Sequence, residues 1–158
     1  MTEIKENEIK ESEPLWEELE RLEAALDTPS VPGEMSSWAS MVRKSFDAAA
    51  RAILNHIDSV HPGQLGEIDG QDAELMAQTE HLREEDQCHQ DWCRRLSAAF
   101  AEFDGKAVRA GADEKQVTEQ QQALLEEGLR FVTHVRKQEA AIRSWLQEAY
   151  QRDTGAGD

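Results

Sequence analysis

One stretch constrains the fold of this chain more than any other. Leu75, Thr79, Leu82, Asp86, His89, Cys93, Leu96, Phe100 and Phe103 recur at alternating steps of four and three residues. That period keeps a single face of an α-helix turned toward a partner for about eight turns, and no strand can hold it. The spacing predicts a helix from about Asp72, a good N-cap, to about Phe103, with Asp104-Gly105 ending or breaking it.

Three other segments share the pattern. Leu15, Leu19, Leu22 and Leu26 follow Ser12-Glu13-Pro14, an N-cap serine with proline in the first turn, and give a helix over about 12–26. Residues 1–11 are charged throughout and read as a disordered tail. Trp38, Val42, Phe46, Ala49, Ile53, Ile57 and Val60 define a second helix over about 34–60, stopped by His61-Pro62-Gly63 and followed by a glycine-containing loop. Val117, Gln121, Leu124, Gly128, Phe131, Val135, Gln138, Ile142, Trp145 and Ala149 define the last, over about 113–150, with 151–158 as a flexible tail. No segment alternates apolar and polar residues as a half-buried strand does. Four amphipathic helices with short connections imply an all-α, up-down-up-down four-helix bundle spanning 12–150. Trp16, Trp38, Trp92 and Trp145 fall one per helix, as core packing would place them.

Charge then narrows the function. Thirty-three acidic against 17 basic residues leave −16, a balance that repels phosphate and argues against nucleic acid as partner. No apolar run is long enough to span a membrane, and the charged N-terminus is not a signal peptide. A cytoplasmic, non-enzymatic protein is expected, with a protein partner or a second copy as the candidate associate and no small ligand identified. Cys88 and Cys93 are five apart on one helix and point about 140° apart, so they cannot pair and read as reduced, semi-buried thiols. A nucleophile elbow, a phosphate-binding glycine loop and a CxxC pair are all missing.

The informative residues are polar ones where the period demands apolar ones. Asp86 and His89 occupy consecutive seam positions, three apart and facing one way. Such an acid-x-x-His pair is the kind of element from which metal sites in helical bundles are built. His56 lies beside Ile53 and Val60, His134 at the edge of the last stripe, and Glu139 between Val135 and Ile142. His56, Asp86, His89, His134 and Glu139 are therefore the candidate metal ligands. The competing reading makes them satisfied core or boundary groups, with Asp86 paired to Arg83 and Glu139 to Arg143. His61 reads as a cation at a helix end and His81 as an exposed residue.

The segments AILNHIDSV, LREEDQCHQDW and FVTHVRKQEAAIRSWL, in this order on helices two to four, make residues 12–150 similar to the hemerythrin-like (HHE cation-binding) family. The resemblance implies non-haem iron, often as a pair, held between the helices to bind oxygen, nitric oxide or iron. It also exposes departures. No His precedes position 56, Val60 stands where the family has a Glu, and Gln138 stands where its last helix has another, with Glu139 displaced by one. A neutral amide cannot bridge two cations as a carboxylate does. The resemblance thus implies a binding or regulatory module whose metal site is largely lost and which carries no cofactor. The alternatives are a working iron protein and a structural, oligomerising bundle.

Overall fold

The structure is a computed structural model. It describes the backbone of residues 2–31, 33–109, 111 and 113–155, and the side chains of that set from 13 to 152. It is all-helical: α1 Thr2–Asp27, α2 Met35–Ser59, α3 His61–Gln71, a single 3-10 turn Ala73–Leu75, α4 Met76–Ala107 and α5 Glu114–Gly155. Four long helices carry the four expected stripes. α1 packs on α2 and α5, α2 on α4, and α4 on α5.

The stripes are buried as the period requires. Leu15, Leu19, Leu22 and Leu26 are sealed on α1, and Trp38, Val42, Phe46, Ala49, Ile53 and Ile57 on α2. Every seam residue of α4 from Thr79 to Phe103 is buried. Phe46 stacks on Phe100 at 5.0 Å and on Phe131 at 6.1 Å, which joins α2, α4 and α5 through rings worth more than their area alone.

Four boundaries differ from those expected. α1 begins at Thr2 rather than Ser12, so helical backbone runs through the segment read as a tail, and Pro14 lies inside the helix. The Glu and Lys residues that make this segment polar are also good helix formers. α4 runs through Gly105 to Ala107, and Asp72 caps the 3-10 turn ahead of it by accepting from the Glu74 amide at 2.9 Å. α5 continues to Gly155, leaving 156–158 outside the described residues.

The fourth difference matters most. The segment after Val60 is not a loop but α3, with Pro62 in its first turn. Proline there lacks only an N–H that a helix start leaves unpaired anyway, so Pro62 opens a helix as well as closing the preceding one. His61, Leu65 and Ile68, spaced four and three, form its buried face.

α3 also divides the interior. Leu65, Ile68, Leu75, Leu82, Ile142, Leu146 and Ala149 form one apolar cluster. The larger cluster takes in α1 and includes Ile53, Ile57, Cys93 and Val135. Between Leu82 and Cys93 on α4 lie Asp86 and His89, and between Val135 and Ile142 on α5 lie Gln138 and Glu139. A polar layer is thus sandwiched between two apolar ones. Among the described residues no helix is long and apolar enough to cross a membrane.

Candidate metal centre

Four helices each contribute to this layer, and its polar atoms form one continuous chain. On α3, His61 is 1% exposed. Its Nδ1 donates to Asp86 Oδ1 at 2.7 Å and its Nε2 donates to Glu139 Oε1 at 2.5 Å. Glu139 Oε2 accepts from His56 Nε2 of α2 at 3.1 Å. The same Asp86 Oδ1 also accepts from Gln138 Nε2 at 2.7 Å, and that amide nitrogen donates to the Leu82 carbonyl at 3.2 Å as well. With the amide nitrogen fixed by two acceptors, Gln138 Oε1 must accept, and it does so from His89 Nδ1 at 3.1 Å. The order is His56, Glu139, His61, Asp86, Gln138, His89.

Electrostatics sets the charges along this chain. Burial works against charge on His61, but the hydrogen bonds and negative charges of Asp86 and Glu139 outweigh it and raise its pKa from 6.5 to about 9. His61 is an imidazolium at neutral pH, as its two donated hydrogen bonds require. Burial likewise opposes charge on Glu139, yet His56 and His61 hold its pKa down at about 2. His89 goes the other way, its pKa lowered chiefly by burial, so the ring is neutral with its proton on Nδ1 and a lone pair on Nε2.

Placement of the sequence candidates follows from this geometry. His56 and Glu139 meet, with His61 as their third partner; the three offer donor atoms that all lie within 4.8 Å of one another. Donors at about 2.0–2.2 Å from one tetrahedral ion stand about 3.3–3.6 Å apart, so the three need to draw together slightly to share one. Asp86 is in the network but lies across the His61 ring from Glu139, since it holds Nδ1 and Glu139 holds Nε2. It therefore orients the ring instead of sharing its ion, as carboxylates behind metal-binding histidines do. His89 does not pair directly with Asp86; Gln138 stands between them. His134 is exposed, its ring 5.3 Å from that of Trp92.

The surface pairings considered for the acids do not form. Arg83 binds Asp69 at 2.6 Å instead of Asp86. His81 is exposed and paired to Glu85 at 3.2 Å. The two thiols part company: Cys88 is exposed, whereas Cys93 is buried and its thiol is pushed up to about 12 by that burial. His61 was the residue that sequence reasoning missed. Its signal was available in the four-three spacing of His61, Leu65 and Ile68 behind Pro62.

The donor set does not fit a two-ion centre. Among the described residues Glu139 is the one carboxylate at the His56–His61 end, Asp86 is turned to the far edge of His61, and Gln138 uses its oxygen on His89. It fits one ion with two imidazoles and a carboxylate. Comparison with known proteins matches this chain to no protein family, no curated protein and no solved structure.

Proposed function

We propose that this chain is a non-catalytic binding module, an up-down-up-down bundle of hemerythrin-like design reduced to one ion site. His56 Nε2, His61 Nε2 and a Glu139 oxygen hold a single divalent transition-metal ion. The observation that carries this reading is the convergence of the three buried donors within 4.8 Å, with Asp86 bound to the far nitrogen of His61. That bond fixes the tautomer whose Nε2 lone pair, once its proton leaves, turns toward the other two donors. Two imidazoles and one carboxylate suit Zn²⁺ and Fe²⁺, and the ion supplies a Lewis-acidic centre in a layer closed by apolar clusters. The protein's own part is to align the two rings and neutralise the ion's charge with Glu139 and Asp86.

A second reading has one specific observation in its favour. The protonated His61 ring already donates to both carboxylates, so the layer holds a cation of its own without a metal. In that case the network is a buried latch that fixes helix register.

Equilibrium dialysis against Zn²⁺, or against Fe²⁺ without oxygen, followed by elemental analysis separates the two. A chain of −16 adsorbs cations at its surface, so the comparison is with His61→Ala and Glu139→Gln. About one ion per wild-type chain, lost in both variants, is expected. Equal metal in wild type and variants overturns the ion site in favour of the latch, and two tightly held ions overturn the one-ion assignment.

A further inference from the structure

His89 presents its second ring nitrogen to a different place. The ring is 4% exposed and its Nδ1 proton is committed to Gln138, whose amide is in turn locked by Asp86 and Leu82. Nε2 is therefore an acceptor of fixed direction, with no protein partner among the described residues. His89 lines a groove of about 810 Å³ between α4 and α5, within the usual size of small-molecule sites. Gln78 lines the same groove, and its Oε1 is buried without a donor. Two aromatic residues, Trp92 and Trp145, are among those that line it. The Trp92 indole N–H is already spent on Glu127 at 3.1 Å.

Unpaired buried acceptors are costly and rare in folded proteins. Gln78 Oε1 is such an atom, and it borders the same groove as the partnerless His89 Nε2, so a ligand that satisfies them must donate. We propose that the groove between α4 and α5 is a binding site for a small aromatic molecule bearing a ring N–H or phenolic hydroxyl, which donates to His89 Nε2. The rings of Trp92 and Trp145 provide flat apolar surfaces for the aromatic part, and offset or edge-on contacts of that kind add to area burial. The site is separate from the ion centre, because His89 contributes no donor to the His56–His61–Glu139 set.

The groove carries its own reporter. Cys88 lines it and is exposed, while Cys93 is buried with its thiol pKa near 12 and stays unreactive in the folded chain. The experiment is alkylation of the full chain by iodoacetamide in chelator-containing buffer, followed by intact-mass measurement with indole or N-methylindole added. Indole should slow the single alkylation, and N-methylindole, the same shape without the N–H, should need about tenfold more for equal protection, the worth of one hydrogen bond to a buried acceptor. In His89→Phe the two probes should protect equally. Should that variant fail to fold, Cys93 becomes reactive and the wild-type ratio alone decides. No protection by indole at millimolar concentration, meaning that the groove holds water only, overturns the proposal, and so does equal protection by both probes in wild type.

Discussion

Removing both partners of the His61–Asp86 pair should cost clearly less than the sum of removing each alone. Holding the His61 pKa at about 9 instead of 6.5 corresponds, at about 1.36 kcal/mol per unit, to about 3 kcal/mol, supplied by Asp86 and Glu139 over the opposition of burial. The Asp86 hydrogen bond is the leading favourable cause. Asp86→Leu leaves a buried imidazolium with one carboxylate, and His61→Leu leaves Asp86 and Glu139 short of their shared donor. Breaking buried pairs in this way costs about 3–5 kcal/mol. In Asp86→Leu with His61→Leu, the loss should fall short of the sum by about 1–3 kcal/mol, because neither residue then strands the other. Urea unfolding of the four proteins at pH 6 with chelator reads this directly, provided the denaturant slope is unchanged. Single changes within about 0.5 kcal/mol of wild type, adding without coupling, would refute the reasoning and make both residues surface-like. Pairing Asp86→Leu with His89→Leu instead should recover less, since those two touch only through Gln138.

Three further outcomes are expected. Between about pH 4 and 10 the metal-free chain should be most stable near about pH 6.5: the raised His61 pKa gives stability that is full below 6.5 and lost as pH rises through about 9, the lowered His89 pKa gives stability that is full above 6.5 and lost as pH falls below it, and the lowered Glu139 pKa gives stability that is full above 4.5 and lost as pH falls toward about 2. Thermal unfolding in chelator across that range checks it, and a midpoint that keeps rising from pH 7 to 10 contradicts it. Gly105→Ala should stabilise by about 0.5–1 kcal/mol, since the position is helical and a Cβ meets nothing within 4 Å. Gly128→Ala should destabilise on the order of 1 kcal/mol despite the same helical gain, because its Cβ would sit 3.1 Å from Leu26 Cδ1, a side chain with no free surface to move into; urea midpoints of the two variants should move in opposite directions.

The helices were legible because their stripes are long and regular. The α4 seam, from Thr79 to Phe103, is buried at every position that the four-three rhythm selects. The polar residues were legible for the same reason, as Asp86, His89, Gln138 and Glu139 interrupt that rhythm and lie inside. What periodicity along one helix does not give is the azimuth of one helix against another. Asp86 and His89 share a face, yet Asp86 meets an imidazole from α3 and His89 an amide from α5. His134 shows the converse error. It sits beside the stripe residues Phe131 and Val135, but a single step of about 100° around the helix carries it to the surface. α3 was hidden because Pro62-Gly63 signals an end and a beginning alike, and an eleven-residue helix shows too few turns of its own pattern to settle which.

α3 also explains how the buried charge is tolerated. Leu65 and Ile68 are 1% and 0% exposed, and burying each side chain is worth about 2–3 kcal/mol. Together they anchor a helix whose first residue is a charged imidazole, which on its own would favour water. The same stripes filled with leucine would be as stable or more so, since apolar replacements of buried ion pairs are often neutral or better. Four long stripes suffice for a bundle; they do not require a fifth helix that carries His61 between Asp86 and Glu139. The metal-free cycle and the dialysis experiment therefore measure separately what the layer adds to stability and whether its donors hold an ion.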